Sequence, residues 1–256
     1  MTEPAALVVP RLVDAVAVLR LADPGRRNAL SRQLSDALAD AVSAALGAGA
    51  RALVLTAAPP VFCAGGSLDA LVDRADPLPE LFAGMRALAN APVPTIAAVG
   101  GPAIGAGVNL PLACDIVVVT PRARFDPCFL DVGIHPGGGH LQRLAQRIGP
   151  QGAAALVLCG DVLTGAEAVA RGLAWRCVPE EDLESTALSL AARAAARPPR
   201  LVRRTKESLR GSLPPATADE AFALELAAQE WSMAQPEFAE SVARVRRRVR
   251  DGGRRT

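Results

Sequence analysis

Two glycine-rich segments, at 61–68 and 100–109, have the residue types and positions that suit stabilisation of a developing negative charge. The first reads VFCAGGSL and the second GGPAIGAGVN, and each follows a short apolar stretch typical of a buried strand. Glycines after a strand let the backbone approach a ligand closely, and amides at the start of a following helix favour negative charge. Two such loops could direct two N–H groups at one developing oxyanion.

A second group of chemically useful side chains lies between residues 126 and 140: Asp126, Cys128, Asp131, His135 and His140. Histidine titrates near neutrality, so an Asp131–His135 dyad could act as a base. The alternative is structural, because an aspartate before a glycine-rich turn often caps backbone amides and both histidines can serve in packing. The sequence leaves both roles open.

A dinucleotide site is a weaker interpretation of the second glycine-rich segment. The segment is loosely similar to G-x-G-x-x-G, but it lies near residue 100 rather than in an opening βαβ unit. An acidic residue for a ribose hydroxyl is also missing from the expected place after the next strand. We therefore disfavour a nicotinamide-dependent enzyme.

Composition argues against several other classes of protein. Five scattered cysteines, without a CxxC pair, and two histidines make a disulfide framework or a metal site improbable and favour a reducing compartment. A net charge of +2 and 3% aromatic residues give no reason to expect a nucleic-acid partner. The apolar stretches are much shorter than the roughly 20 residues of a membrane span, and no signal peptide is visible. The prediction is a cytoplasmic protein without a membrane span.

Arginines are concentrated near the C-terminus, at positions 244, 246, 247, 248, 250, 254 and 255. The simplest interpretation is a solvated helix face followed by a frayed tail. The alternatives are a contact with phosphate groups of a ligand or with a neighbouring subunit.

The elements that would position these groups alternate between strands and helices up to about residue 195. Apolar stretches at 5–9 and 14–21 predict a hairpin that turns at Pro10-Arg11. Ser31 is predicted to cap a helix to about Leu46, followed by a strand at 51–56. Further strands are predicted at 95–99, 115–120 and 174–178, with helices at 78–90, 140–148, 150–159 and 164–171. Beyond residue 180 the pattern is wholly helical, at 180–196, 199–211, 217–232 and 235–249.

Several of these segments together resemble the crotonase (enoyl-CoA hydratase/isomerase) superfamily. The stretches RALVLT at 51–56 and FCAGGSL at 62–68 resemble its first oxyanion segment, and PTIAAVGGPAIGAGVNLPLACDI at 94–116 resembles its second. The similarity continues through Phe125, GIHPGGGHLQRL at 133–144, LCGD at 158–161 and AEAVARGL at 166–173. The upstream DPGRRNAL at 23–30 fits the early CoA-binding turn of the family.

The resemblance implies an α/β fold: a β/α spiroid core at 1–195 and a helical C-terminal region at 196–256. In that superfamily such a region drives assembly of homotrimers or homohexamers, and Phe222, Trp231 and Phe238 would suit such packing, although an intramolecular core would use them equally well. The ligand implied is an acyl-CoA or enoyl-CoA thioester, which serves as substrate, with no prosthetic group and no metal.

Carried over by position, the oxyanion amides of the family fall on Gly66 and Ala106. The residues that would line the CoA moiety and its pantetheine arm are Gly25, Arg26, Arg27, Ala64, Ser67 and Leu68. The thioester carbonyl would accept both hydrogen bonds, and an enolate formed from it would be stabilised at the same place.

The resemblance fails at the acid–base residues. Hydratases of the family use two glutamates, and here the corresponding positions are Asn109 and Phe129. The isomerase pattern adds a carboxylate at the position of Gly137, which is also missing. General acid–base groups contribute about 10²–10⁴-fold to a rate, so ordinary hydration should be weak.

Three functions remain open at this point. The first is an acyl-CoA enzyme, similar to enoyl-CoA hydratases and isomerases, with substitute acid–base groups such as Asp131 or His135. The second is a non-catalytic acyl-CoA binder or carrier, which Phe129 favours by making the pocket more apolar. The third, a scaffold without a ligand, conflicts with the glycines at 65, 66, 105 and 107, which keep the geometry of a close backbone approach.

Overall fold

In the computed structural model, which describes residues 6–73, 76–211, 217–234 and 236–252, nine strands form two sheets. The strands are β1 (Val8–Val13), β2 (Val16–Leu21), β3 (Ala52–Ala57), β4 (Thr95–Val99), β5 (Pro102–Ile104), β6 (Ile116–Val119), β7 (Arg124–Asp126), β8 (Leu163–Thr164) and β9 (Arg176–Cys177). The main sheet has the order β1-β2-β3-β4-β6-β9 and is parallel from β2 onward. The carboxyl ends of β3 and β4 therefore meet at one edge of the sheet, which brings the two glycine-rich segments together.

The amino-terminal hairpin exists, but its predicted turn at Pro10-Arg11 is wrong. Both residues lie inside β1, which pairs antiparallel with β2 from Val8 opposite Leu21 to Val13 opposite Val16. The chain turns after β1, where Asp14 adopts a left-handed φ of 52°. A proline is tolerated within β1 because β1 is an edge strand, where a missing N–H need not break a ladder.

A small second sheet, in the order β5-β7-β8, was not predicted. Its strands have only two or three residues, and β5 lies within the segment that was interpreted as one glycine-rich turn. Strands this short give no alternation that a sequence pattern could reveal.

Ten helices surround the sheets in the described residues. They are α1 (Arg32–Gly47), α2 (Leu68–Asp73), α3 (Ala83–Asn90), α4 (Asn109–Ala113), α5 (His140–Leu158), α6 (Gly165–Ala170), α7 (Leu183–Ala195), α8 (Pro199–Gly211), α9 (Ala218–Met233) and α10 (Pro236–Gly252). The predicted cap of α1 is confirmed, since the Ser31 side chain accepts a hydrogen bond from the Leu34 N–H. A break at Gly149 (φ 74°) divides α5 where the sequence predicted two helices.

Both faces of the main sheet are covered, because successive side chains of a strand point to opposite faces. One face contributes Leu19, Leu53 and Val99 to the core that contains α1 and α3. On the other face Val18, Val54 and Ala98 pack against Ala187, Ala191 and Ala195, which recur every four residues along α7.

The C-terminal helices pack on the rest of the same chain. Lys206 of α8 is nearly buried, and its Nζ lies 2.5 Å from an Asp115 oxygen and donates to the Val93 carbonyl at 2.6 Å. From α9, Phe222 meets Phe82 edge-on with ring centroids 5.8 Å apart. From α10, Phe238 joins an apolar cluster with Phe129. Phe222 and Phe238 thus serve an intramolecular core.

Trp231, the third residue suggested for subunit packing, is 66% exposed. Of the C-terminal arginines, Arg254 and Arg255 lie outside the described residues, and the division of the chain at residue 195 stays a prediction. Within the described ranges, every helix is too short or too polar to cross a membrane.

Candidate active site

The two glycine-rich segments, called here the oxyanion loops (61–68 and 100–109), pack directly on each other. Cys63 forms a parallel bridge with Ala103, and the Ile104 N–H donates to the Cys63 carbonyl at 2.9 Å. A Cβ on Gly107 would lie 2.4 Å from the Cys63 carbonyl oxygen, and a Cβ on Gly65, whose φ is 81°, would lie 2.5 Å from the Ile104 oxygen. Only glycine fits at either position, so the loops depend on these residues for their close approach.

The predicted oxyanion amides, Gly66 and Ala106, lie at this junction. Ala106 is near the start of a 3-10 turn at 105–108, where the first N–H groups have no acceptor within the helix. A Cβ on Gly65, the residue before Gly66, would lie 3.4 Å from the Ala106 nitrogen. Among the hydrogen bonds of loops and turns in the described residues, none uses the Gly66 or Ala106 N–H as donor. Neither N–H is therefore used within these loops, and their joint action on one acceptor stays a prediction.

The early turn at 23–30 lies against the first oxyanion loop. The Ala64 N–H donates to the Arg27 carbonyl at 3.1 Å, and the Leu30 N–H donates to the Gly65 carbonyl at 2.7 Å. These bonds place Arg27 beside Ala64, and the role of this turn in CoA binding stays a prediction. The side chains of Arg26 and Arg27 are exposed to solvent, where they are open to contact with a phosphate group.

Asn28 holds this turn in place, and sequence reasoning missed it. Its side chain is fully buried and donates to the carbonyls of Ala58 and Val61 at 2.9 and 2.8 Å, while it accepts from the Asp23 N–H at 2.9 Å. Its φ of 52° is left-handed, a conformation in which asparagine is enriched among residues with a side chain. The sequence did contain one signal for this role, namely an asparagine close to a Pro-Gly turn.

Ser67 and Leu68 begin the helix that covers the first oxyanion loop. The Ser67 hydroxyl accepts from the Ala70 N–H at 3.4 Å, which is a weak cap of α2. Leu68 and Leu71 pack against the apolar cluster that contains Phe129. A contact of Ser67 or Leu68 with CoA stays a prediction.

Asn109, at the first glutamate position, belongs to a buried polar pair with His140. Asn109 donates from Nδ2 to the Gly137 carbonyl at 3.0 Å, and its Oδ1 lies 2.7 Å from His140 Nδ1. Both side chains are buried, and burial, followed by the charge of Arg143, lowers the pKa of His140 to about 3. The imidazole is therefore neutral at pH 7.

Phe129, at the second glutamate position, is buried in an apolar wall. Its neighbours in that cluster are Leu78, Leu81, Val132, Ile134, Met233, Phe238 and Val242, with Ala106 packed at the border. Its ring meets the His140 ring edge-on, with centroids 5.0 Å apart. An apolar ring therefore fills this position, and its correspondence to a glutamate of the family stays a prediction.

At the third position, Gly137, the space for a side chain is taken by another part of the chain. A Cβ on Gly137 would lie 1.9 Å from Oε1 of Gln229, which is buried and comes from α9. Sequence reasoning did not identify Gln229 as a residue of this site, because the two positions are 92 residues apart.

The other candidate acid–base groups lie next to this wall. Burial and then the charge of Asp131 raise the pKa of Asp126. Burial, followed by the charges of Asp126 and Asp131, raises the pKa of the Cys128 thiol to about 12, so this cysteine is not a thiolate nucleophile. Asp131 is exposed, and His135 is half-buried with Nδ1 2.8 Å from the Pro136 carbonyl oxygen. Their predicted role as a dyad stays a prediction.

The position of the oxyanion loops can be compared with that of metal-ligating groups and of two surface cavities. In the described part of the chain, no group of three or more His, Cys, Asp or Glu side chains could hold a metal ion. One surface cavity of about 210 Å³ lies beside Pro60, Gly101 and Leu183, and another of about 350 Å³ lies beside Arg51 and Pro199. Neither is lined by Gly66 or Ala106.

Comparison with known proteins supports the resemblance to enoyl-CoA hydratases and isomerases. The sequence profile of the family described as Enoyl-CoA hydratase/isomerase matches residues 12–249. A Mycobacterium tuberculosis protein named "Probable enoyl-CoA hydratase" is 40% identical over 244 residues, which cover 91% of this chain and 94% of that protein. The 2,3-dehydroadipyl-CoA hydratase of Escherichia coli is 34% identical over 213 residues, covering 80% of this chain and 82% of that relative.

Solved structures agree in fold. An enoyl-CoA hydratase/isomerase from Pseudoalteromonas atlantica superposes with a TM-score of 0.85 at 31% identity, covering 93% of this chain and 95% of that one. A carnitinyl-CoA hydratase from Mycobacterium avium gives a TM-score of 0.83 at 29% identity, with coverage of 93% and 94%. The similarity in fold therefore extends over nearly the whole chain.

Proposed function

Because the chain belongs to the enoyl-CoA hydratase/isomerase family of the crotonase superfamily, we propose that it binds an acyl-CoA thioester and stabilises an enolate formed from it. In this proposal the thioester oxygen accepts hydrogen bonds from the N–H groups of Gly66 and Ala106. Such donors are most effective when they are held in place before charge develops, in a site with little water.

The junction of the oxyanion loops is the observation that carries this proposal. Gly65 and Gly107 each lie so close to the facing backbone that a methyl group would overlap it. A loop contact of this kind restricts the sequence severely, and the two amides beside it have no acceptor among the loop and turn hydrogen bonds of the described residues. Recognition of one carbonyl oxygen accounts for both features.

The CoA part of the ligand is proposed to lie along the early turn and the first oxyanion loop. Gly25, Arg26, Arg27, Ala64, Ser67 and Leu68 are the residues we assign to it. Exposed guanidinium groups at Arg26 and Arg27 suit the phosphates of CoA, because arginine forms paired hydrogen bonds with phosphate oxygens. A homotrimer or homohexamer and a cytoplasmic location belong to the same proposal.

Hydration is disfavoured as the main reaction. Addition of water to an enoyl group needs a base to activate the water and an acid to protonate carbon, and the family uses two glutamates for this. Asn109 can hold a water but cannot take its proton, and Phe129 can do neither. We therefore favour enolate chemistry that does not consume water.

A non-catalytic acyl-CoA binder is the second candidate function. It is favoured by Phe129, which is 3% exposed and fills the second glutamate position with an apolar ring. A protein that only carries an acyl-CoA gains affinity from such a wall and has no use for an acid–base group.

The test is titration of the purified protein with acyl-CoAs, enoyl-CoAs and aryl-CoAs, with binding followed by calorimetry and turnover by mass spectrometry. Binding of at least one thioester, tighter than the binding of free CoA, is expected. Tight binding without any product supports the carrier, and failure of every thioester to bind overturns both candidates.

A further inference from the structure

The Asn109–His140 pair fixes which nitrogen of the imidazole carries the proton. Asn109 uses Nδ2 to donate to the Gly137 carbonyl, so its oxygen Oδ1 is the atom that faces His140 Nδ1 at 2.7 Å. An amide oxygen can only accept, so Nδ1 must donate and must carry the hydrogen. Since the ring is neutral, Nε2 bears a lone pair.

That lone pair is buried and has no partner in the protein. His140 is fully buried, and no group of the described residues hydrogen-bonds to its Nε2. A buried acceptor left without a donor is unfavourable, because it loses its hydrogen bonds to water and gains none in the protein. Such a group in a folded protein calls for a functional reason or a bound partner.

The position of the pair connects it to the oxyanion loops. Asn109 follows Ala106 by three residues on a continuous helical turn, where residues three apart lie on the same side. On its other side, the His140 ring contacts Phe129, whose cluster reaches Ala106. His140 is thus linked to the Ala106 segment both through hydrogen bonds and through apolar contact.

We propose that His140 is the general base of this site and that Asn109 is the residue that positions it. His140 Nε2 takes a proton from the carbon next to the thioester carbonyl. The electron pair of the broken C–H bond moves to the carbonyl oxygen, which the two oxyanion amides hold as an enolate. The imidazolium then returns the proton to the same carbon. In a substrate with a double bond between its β and γ carbons, it can instead return the proton to the γ carbon. This proposal rests on the proposed function, because it needs the acyl-CoA bound at Gly66 and Ala106.

The arrangement meets the chemical requirements of a base and its orienting partner. An amide oxygen that accepts from one ring nitrogen holds the imidazole in a single tautomer and leaves a lone pair on the other nitrogen, as in other catalytic histidine pairs. Charging a buried imidazole is unfavourable alone, but the enolate formed in the same step supplies the opposite charge. A single base beside an apolar ring suits proton transfer to and from carbon rather than addition of water.

Exchange of α-protons in D2O tests the proposal directly. A saturated acyl-CoA bound to the wild type should incorporate deuterium at the α carbon, measured by mass spectrometry. His140→Gln should slow the exchange by about 10²–10⁴-fold while acyl-CoA still binds. Exchange at the wild-type rate in His140→Gln, or binding of acyl-CoA to the wild type without any exchange, would overturn the base while leaving thioester binding in place. Absence of binding to the wild type would instead overturn the proposed function and this proposal with it.

The rival base is tested in the same assay. If His135→Gln stops the exchange and His140→Gln does not, the Asp131–His135 dyad is the base and the present proposal is wrong. Thermal unfolding of both variants shows whether a lost exchange reflects a lost fold.

Nitrogen-15 NMR of the wild type keeps the proposal falsifiable even if His140→Gln fails to fold. The chain has two histidines, so labelled histidine gives two sets of ring signals. His140 should show a protonated Nδ1 and a bare Nε2, and an Nε2–H tautomer would contradict the proposal. Asn109→Leu, which removes the orienting oxygen, should mix the tautomers and slow exchange by at least about 10-fold. An unchanged tautomer and rate in that variant would remove Asn109 from its positioning role.

Discussion

The oxyanion loops and the wall beyond them, formed by Asn109, Phe129 and His140, are built on different principles. In the loops, Gly65 and Gly107 leave no room for a side chain, so under the proposed function the backbone binds the thioester. In the wall, the proposed chemistry depends on side chains, and both predicted glutamate positions hold other residues. The comparison teaches that polarising a thioester and moving its protons are separable tasks. The first requires a backbone shape, whereas the second changes with a few side chains.

Removing the ring of Phe129 should have the largest effect on stability. Phe129→Ala leaves a cavity in the wall, and such a change costs about 3–5 kcal/mol in the free energy of unfolding. Because the oxyanion amides belong to the backbone of other segments, acyl-CoA should still bind to the folded variant. Urea unfolding and calorimetry measure the two effects. Loss of binding in a folded Phe129→Ala protein would show that wall and loops are not separable.

The second largest expected effect is a loss of stability in acid, caused by the buried imidazole of His140. His140 has an ordinary pKa of 6.5 and a folded pKa of about 3, so the unfolded state binds more protons between these values. Stability present above pH 6.5 is therefore lost as the pH falls through this window, by up to about 1.4 kcal/mol per pH unit. His140→Gln should show a shallower decline of the unfolding temperature from pH 7 to 4. Equal slopes in both proteins would contradict a buried neutral His140.

Gly107→Ala should lower the affinity for acyl-CoA by disturbing the oxyanion loops, whereas Phe129→Ala should leave that binding in place. Its Cβ would overlap the Cys63 carbonyl oxygen, and relief of such a clash costs about 1–3 kcal/mol and moves the backbone that presents Ala106. Acyl-CoA affinity should fall by a similar free energy. Gly47→Ala is the matched control, because Gly47, like Gly107, lacks a positive φ but has no atom within 4 Å of the added methyl. Equal affinities in the two variants would contradict the account.

Lys206→Met should give the smallest of these effects and should act on stability alone. It removes a nearly buried ammonium from Asp115 and the Val93 carbonyl, at the amino-terminal ends of β4 and β6. Because Asp115 is about one third exposed, we expect a loss of only about 1–2 kcal/mol. Lys206→Arg keeps the charge and is the control. A large loss of acyl-CoA affinity in Lys206→Met would refute the assignment of this ion pair to the scaffold.

Much of the fold was predictable because its signals are local. The continuous apolar runs of β2, β3 and β4 and the four-residue spacing along α1 arise from neighbouring residues, and those elements lie where they were predicted. The hairpin turn was misplaced because Pro10 reads as a turn residue, whereas an edge strand tolerates it. The strands of the small sheet are too short to leave a pattern.

The close packing of the two glycine-rich loops was the part of the candidate site that the sequence could predict. The glycines announced the oxyanion loops, and the early turn followed from its resemblance to the family. The contact between Asn109 and His140 joins residues 31 apart, and Gln229 fills the space at Gly137 from the distant helix α9. Those contacts depend on how helices pack against loops, which no local pattern encodes.

The vibration of the thioester carbonyl gives the sharpest test of whether Gly66 and Ala106 form an oxyanion hole. An acyl-CoA labelled with carbon-13 at the carbonyl should be bound to the protein, and its C=O stretch measured by infrared difference spectroscopy. Two hydrogen bonds from Gly66 and Ala106 weaken the C=O bond, so the account predicts a shift to lower frequency than in water, retained in Phe129→Ala and lost in Gly107→Ala. A bound thioester whose stretch stays at its value in water would contradict the oxyanion hole.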